Sequence, residues 1–251
     1  MRVLLLSDIH SNLEALEACL AAVPVYDTVV NLGDTVGYGA NPNEVIACAR
    51  SLGSVFVRGN HDKAVAGLMD LEGFNPVAGL ATIWTRNQLT KSNLEWLRSL
   101  PQGPVSMEEL PSVQFVHGSS LDEDEYMVSV RDAIAPLIAN PVPLTFFGHT
   151  HLQGGFSLRG EIGESYRPGY RTVGQPESSD WPLRKDCRYL VNPGSVGQPR
   201  DGDWRAAFAV FDSDAWAVSF YRVPYNVRIA QEKIVGANLP PRLATRLATG
   251  R

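Results

Sequence analysis

The sequence predicts a protein of the α/β (α+β) class, a sandwich of two β-sheets flanked by helices. Three observations carry the prediction. Strand-like and helix-like stretches alternate at the start, the later strands have little helix between them, and 251 residues with 44% apolar content can bury a sizeable core. Val3 to Leu6 is the first apolar run. Ser11-Asn12-Leu13-Glu14 follows as a capping box, ahead of Leu13, Leu16 and Leu20 at helical spacing. Thr28 to Leu32 opens a second unit, whose helix is announced by Asn41-Pro42-Asn43-Glu44, with proline at the first helical position. Further strands are expected at Val55 to Val57, Val113 to Val116, Leu144 to Phe147, Tyr189 to Val191, Ala207 to Phe211 and Ala217 to Tyr221. Helical pattern covers Pro76 to Leu89, Ser92 to Leu100 and Val130 to Ala139. One domain over 1–251 is the simplest parse. It includes a Gly-, Pro-, Arg- and Ser-rich hairpin and loop excursion at about 154–187, and a helical tail at about 226–250 that Asn226 caps.

Charge and composition narrow the function. The net charge of -5, from 22 basic and 27 acidic side chains, argues against a general nucleic-acid or membrane binder and leaves room for a small phosphorylated substrate. Apolar runs such as Ala206 to Phe211 fall far short of the roughly 18 residues of a spanning helix. The stretch after Met1-Arg2 ends at Ser7-Asp8, too short for a signal-peptide core, so the start is expected to be retained. Cys19, Cys48 and Cys187 are odd in number and lack CxxC spacing, and read as reduced thiols of a cytoplasmic protein. The oligomeric state stays open, a homo-oligomer included.

All five histidines, His10, His61, His117, His149 and His151, fall just after apolar strand-like runs. The segments are LLLSDIH, VVNLGD, VFVRGNHD, VQFVHG and TFFGHTH, with YLVNPGS as a sixth run. Ligands collect beyond the carboxyl ends of strands in α/β sheets, so these segments aim Asp, Asn and His at one place. Four His, two Asp and one Asn form an oxygen and nitrogen donor set without thiolate, suited to manganese, iron, nickel or zinc rather than calcium. Seven donors exceed one tetrahedral ion and match two ions sharing a carboxylate.

The order Asp8-Ile9-His10, Gly33-Asp34, Gly59-Asn60-His61-Asp62, His117 and Gly148-His149-Thr150-His151 resembles the calcineurin-like metallophosphoesterases. GDTVGYGANPNEV (33–45) and NPGSVGQPRDG (192–202) resemble a compact prokaryotic branch of small phosphodiesterases. The resemblance implies a four-layer αββα sandwich of two mixed sheets. It implies that Asp8, His10 and His151 hold one metal, that Asn60, His117 and His149 hold the other, and that Asp34 bridges them. His61 would stabilise developing charge or protonate the leaving oxygen, and Asp62, which completes its motif, is a further catalytic candidate together with Arg58. Two cations about 3.5 to 4 Å apart clamp phosphoryl oxygens and acidify a water for in-line attack.

Arg58 stands where protein Ser/Thr phosphatases of this superfamily carry a phosphate-binding arginine, and reads either as an anion contact or as a surface arginine at a strand end. The arginine those phosphatases carry after GD is missing from Gly33 to Gly39, which disfavours a phosphoprotein substrate. Tyr38 and Asn41 are candidates for the substrate side, with helix capping as the alternative for Asn41, and Arg200 is a weaker anion candidate. Ser195 imitates a nucleophile elbow, but Pro193 stands where that motif requires Gly, so it reads as a tight turn. Trp216, Tyr221 and Tyr225 read as core or subunit contacts, since no basic stripe accompanies them. Phosphodiester hydrolysis is the leading expectation. Phosphomonoesterase, protein phosphatase and diadenosine polyphosphate hydrolase are alternatives within enzymes, and a silent binding scaffold is the alternative outside them. Specificity is expected in loops 35–41, 62–80 and 154–185.

Overall fold

In a computed structural model, which describes residues 1–53 and 55–251, the apolar runs form two six-stranded mixed sheets packed face to face. The chain begins with β1 (Arg2–Leu6), α1 (Leu13–Ala22), β2 (Thr28–Asn31), α2 (Pro42–Ser51), β3 (Val55–Phe56) and α3 (Asn60–Ala66). Then come α4 (Pro76–Gln88), α5 (Lys91–Arg98), β4 (Val105–Ser106), β5 (Val113–Phe115) and α6 (Val130–Ala139). Six strands follow in near succession after β6 (Leu144–Phe146): β7 (Gly154–Arg159), β8 (Ile162–Tyr166), β9 (Glu177–Pro182), β10 (Arg188–Asn192), β11 (Ala206–Asp212) and β12 (Ala217–Val223). The tail forms α7 (Val227–Gly236) and α8 (Pro241–Leu247).

One sheet runs β3-β2-β1-β11-β12-β9 and the other β4-β5-β6-β10-β7-β8. Each has three parallel strands in succession, β3-β2-β1 and β5-β6-β10, extended by antiparallel neighbours. Alternation along β1 shows why two sheets form. Val3 and Leu5 face the opposite sheet with Phe115, Phe146 and Phe211, while Leu4 and Leu6 face the helices with Phe208 and Leu16. Strands covered on both sides read as continuous apolar runs. The Phe146 ring lies 5.9 Å from Phe115 and 5.3 Å from Phe211, so the two sheets share aromatic contacts across their interface. Helices α1, α7 and α8 cover the outside of the first sheet, and α6, through Ala133 and Leu137, covers the second. These are the four expected layers.

Details differ from the sequence reading. The cap of α1 is Asn12, whose Oδ1 accepts from the Ala15 amide, because Ser11 is held at φ 54° in the turn before it. Asn41 caps α2 without a side-chain hydrogen bond. The excursion contains regular sheet: β7 and β8 extend one sheet, while β9 pairs with β12 at the edge of the other. Tyr221 stacks on Phe208 at 4.8 Å, Trp216 packs on Phe211 at 5.4 Å and Tyr225 accepts a hydrogen bond from Asn12, all contacts within the chain. Among the described residues no helix is long and apolar enough to cross a membrane.

Candidate metal centre and adjoining cleft

The parallel strands deliver the polar residues. Asp8 and His10 follow β1, Asp34 follows β2, and Asn60 and His61 follow β3 and begin α3. His117 follows β5, and His149 and His151 follow β6. Both sheets present these carboxyl ends at the same edge, and short backbone bonds lock them together, including Asp8 N to Gly33 O at 2.9 Å and His10 N to Asp34 O at 2.9 Å. Nine described non-glycine residues have positive φ, and five of them are Asp8, His10, Asp34, His149 and His151. Such backbone costs about 1 kcal/mol per residue, so its concentration here marks geometry imposed by the surrounding fold for a purpose other than stability. Glycine is needed beside these turns. A Cβ on Gly33, at φ +100°, would lie 2.7 Å from His117 Nδ1, and one on Gly59 would overlap the Asp34 carboxylate.

Two donor groups result. Asp8, His10, Asp34 and His151 offer ligand atoms all within 4.8 Å of one another, as do Asp34, His117 and His149, and Asp34 belongs to both. Asp34 Oδ2 lies 3.6 Å from His10 Nε2 and 3.5 Å from His117 Nε2. His10 Nε2 is 3.1 Å from His151 Nε2, and His117 Nε2 is 3.1 Å from His149 Nδ1 and 3.2 Å from Asn60 Oδ1. These separations fit the edges of a coordination polyhedron with bonds near about 2.1 Å. The outer ring nitrogens explain why the inner ones are free to ligate. His10 Nδ1 donates to Val36 O, His117 Nδ1 to Leu32 O, His151 Nδ1 to Gln198 O and His149 Nε2 to Asp124 O. Each backbone carbonyl fixes a tautomer whose lone pair points inward. Asp8 is oriented by Ser7 Oγ at 2.6 Å and by the His149 amide at 3.2 Å.

Titration follows the same geometry. Burial pushes the Asp8 carboxyl up to about 7, with the neighbouring Asp34 adding to the effect. Burial also opposes ionisation of Asp34, but His117, His61 and His10 around it hold its carboxyl well below the usual range. Burial disfavours charge on His117 too, and Asp34 overcomes it, raising the imidazole to about 9. Burial, ahead of every nearby charge, keeps His10 and His151 neutral and lowers His149 to about 3. Three neutral imidazoles and an ionised carboxylate form a donor set that suits divalent cations, and His117 would give up its proton on joining it.

The remaining candidates divide. His61 sits at the rim, its ring 4.9 Å from His10 and 5.1 Å from Phe74, with Nδ1 buried and unpartnered. Burial lowers it to about 4. Asp62 turns away from the ligands and accepts from the Thr35, Val36 and Gly59 amides at 3.3, 3.1 and 3.2 Å. Arg58 is also set apart: its Nη2 pairs with Glu123 at 3.0 Å, and Lys63 joins the same carboxylate at 2.7 Å. Ser195 builds the turn, donating to Asp8 O and accepting from Gln198 N, each at 2.8 Å.

Two recesses adjoin one another, and His61 lines the smaller of them. One, of about 220 Å³, is lined by Asn60, His61, Phe74 and His149 among others. The second, of about 870 Å³, is lined by Arg200, Arg242, Arg246 and Arg251, and Tyr38, Asn75 and Tyr126 border both. Loops 35–41 and 62–80 thus contribute as expected, whereas no residue of 154–185 lines either recess. Sequence reasoning missed Tyr126, Arg242, Arg246 and Arg251. The usable signal was a basic stripe in the tail, Arg242 and Arg246 at i and i+4, which lies on α8 rather than beside the tail aromatics.

A two-sheet sandwich with paired His and Asp donor groups at one edge defines a metallophosphoesterase. The chain belongs to the calcineurin-like phosphoesterase superfamily, whose domain matches residues 1–215, and with it to the phosphoester hydrolases. It is 36% identical over 255 residues to protein MJ0912 of Methanocaldococcus jannaschii, covering 99% of this chain and 98% of that one. A metallophosphoesterase from Sphaerobacter thermophilus matches in structure with a TM-score of 0.84 and 38% identity over 100% of both chains. The hypothetical protein PH1004 from Pyrococcus horikoshii OT3 shares the fold, with a TM-score of 0.79 and 20% identity over 100% of this chain and 98% of that one.

Proposed function

We propose that the chain is a dinuclear metal-dependent phosphodiesterase acting on a small phosphodiester or nucleotide-type substrate. The observation that carries the reading is the pair of donor groups sharing Asp34, with four histidine tautomers set by backbone carbonyls. Asp8, His10 and His151 would hold one cation, Asn60, His117 and His149 the other, and Asp34 both. Manganese is the proposed ion, with iron, nickel or zinc as substitutes that the same donors accept. Bound cations supply Lewis acidity toward phosphoryl oxygens and acidify water.

The chain's own groups do the rest. His61 is neutral at pH 7, so its part is to present an N–H to a phosphoryl oxygen as charge develops there. Asp62 acts as a positioning residue, holding the amides of the Asp34 loop. Arg58 and Lys63 position the 118–126 segment through Glu123 and Asp124, and the Asp124 carbonyl in turn orients His149. A diester is favoured because the recess lined by His61 and the larger cleft that adjoins it at Tyr38, Asn75 and Tyr126 give separate room to two ester arms. The complete ligand set together with His61 supports turnover rather than a silent scaffold. Three free thiols, one of them fully buried Cys19, support a cytoplasmic setting.

Chelation followed by metal reloading tests the reading. The metal-free protein should lose hydrolysis of bis(p-nitrophenyl) phosphate and regain it with manganese. His61→Ala should still take up two metal equivalents while kcat falls roughly 10²- to 10⁴-fold. Asp34→Asn should lose metal uptake itself. Persistent hydrolysis in a sample shown to be metal-free, or uptake of a single equivalent by the parent, would refute the dinuclear assignment.

A further inference from the structure

Helix α8 presents two opposite faces. Leu243, Ala244 and Leu247 are buried in the core against α7 and α1, while Arg242, Thr245 and Arg246, followed in register by Thr249, line the larger cleft. Positions i, i+3, i+4 and i+7 form one stripe of a helix, so the core contacts of α8 dictate that its basic stripe faces the cleft. Arg200 enters the same cleft from the loop after β10.

These arginines lack acidic side-chain partners. Among the described residues no Asp or Glu lines the cleft, and none of Arg200, Arg242 and Arg246 forms an ion pair with a side chain. Arg200 reaches neutral oxygens, Gln198 Oε1 at 3.3 Å, the Tyr38 hydroxyl at 3.5 Å and the Tyr126 hydroxyl, and its Nε is buried without a partner. Arg246 gives its Nε to an oxygen of the Arg251 carboxyl group and lies 5.8 Å from the Tyr38 ring centre. Burial, then Arg200 and Arg242, press Arg246 down to about 10 against the opposing effect of Tyr38. Arg200 and Arg246 are partly buried like charges, and with no acidic side chain lining the cleft an incoming anion relieves their repulsion.

Tyr38 ties this cluster to the metal centre. Its ring is 4.3 Å from His61 and 4.6 Å from His10, its hydroxyl meets Arg200, and Arg246 lies over its face. The positive cleft therefore begins one side chain away from the metal ligands.

We infer that the cleft is a distal phosphate subsite, which takes a second, non-reacting phosphoryl group carried on one arm of the diester. Arg242 and Arg246 are its main contacts, and Arg200 stands between it and the metal centre. Phosphate rather than carboxylate fits because several guanidinium groups line one cleft, more donors than the two oxygens of a carboxylate can use, while the Thr245 and Thr249 hydroxyls donate to the Arg242 and Arg246 carbonyls. The inference rests on the phosphodiesterase reading of the neighbouring site and narrows its substrates to esters bearing an additional phosphate.

Two chromogenic diesters isolate the subsite: thymidine 5′-(p-nitrophenyl phosphate) and the same ester carrying a 3′-phosphate. The manganese-loaded parent should favour the 3′-phosphorylated ester in kcat/KM by at least about tenfold, the size of a charge-assisted hydrogen bond or more. Arg242→Ala combined with Arg246→Gln should bring that ratio to about one. Arg228→Ala, which removes an exposed arginine paired with Glu232 on α7, should keep the parent ratio. A parent ratio near one overturns the subsite, and so does a double variant that slows both esters equally and keeps the ratio. Calorimetric binding supplies a second readout: adenosine 3′,5′-bisphosphate should bind the parent more tightly than adenosine 5′-monophosphate, and the double variant should lose the difference. If neither ester is turned over, the hydrolase reading fails, while the calorimetric difference still decides whether the subsite exists. An unchanged thermal midpoint verifies that the double variant is folded, and Arg242→Ala alone, at an exposed position, repeats the test if it is not.

Discussion

Arg205 and Arg222 form one arginine cluster, and Arg200, Arg242 and Arg246 form another, joined through the loop that runs from β10 to β11. In the first, both side chains are buried and every charge is answered. Arg205 meets Asp203 at 2.6 Å and Glu177 at 3.1 Å, while Arg222 pairs with Asp201 and donates to Gln153 Oε1 at 3.0 Å and to the Arg205 carbonyl at 3.1 Å. Tyr170 lies against both guanidinium groups, at 5.3 and 5.8 Å. The second cluster has comparable charge and no acidic side chain, Arg246 meeting only the Arg251 carboxyl group. The difference separates two uses of one residue type. Paired arginines pin the loop that carries Gln198, the acceptor for His151, whereas unpaired ones keep their donors free for a ligand. Burying a charge with its partner holds a fold together, and leaving it without one marks a surface that an incoming anion completes.

The comparison breaks first on stability. Asp203→Ala leaves Arg205, 0% exposed, with Glu177 as its remaining carboxylate and removes a neighbour of Arg222. Truncating one member of a buried ionic network is expected to cost about 3 kcal/mol, measured by urea unfolding. A loss below about 0.5 kcal/mol, the range of ordinary surface substitutions, would show that the paired cluster does not hold the loop.

Arg246→Gln should behave in the opposite way. With no acidic side chain to abandon and only an exposed bond to the Arg251 carboxyl group to lose, it should leave unfolding stability within about 0.5 kcal/mol of the parent. A destabilisation equal to that of Asp203→Ala would make Arg246 a structural residue, and the contrast between the clusters would disappear.

The same contrast explains what was legible in the sequence. Asp8, His10, Asp34, Asn60, His117, His149 and His151 each follow an apolar strand, and parallel strands bring such positions to one edge, so local pattern was enough to place them. The two-sheet sandwich was legible because β1, β2, β11 and β12 alternate side chains between two buried faces. The start of α1 slipped by one residue because Ser11 and Asn12 are equivalent as capping types, and only the strained turn at His10 and Ser11 decides between them. β9 was not legible, since its pairing with β12 depends on a partner some forty residues away. Arg242 and Arg246 were missed for a related reason. A basic stripe on a short terminal helix looks like a solvated face until the packing of Leu243 and Leu247 shows which side it overlooks.

The smallest effect sharpens the comparison most directly, because it reads ligand binding without catalysis. Inorganic phosphate that binds the folded protein and not the unfolded chain raises stability, by about 0.4 kcal/mol when its concentration equals its Kd and by about 1.4 kcal/mol at ten times Kd. Chelator-treated protein leaves the metal ligands without cations, so the cleft arginines become the place where phosphate can gain. The parent should therefore show a rising urea midpoint with phosphate at constant ionic strength, and Arg242→Ala with Arg246→Gln should flatten that rise. Asp203→Ala, although far less stable, should keep the parent's phosphate increment, because it disturbs the cluster whose charges are already matched. If the double variant responds as fully as the parent, phosphate binds elsewhere, and the unpaired arginines have no claim on it.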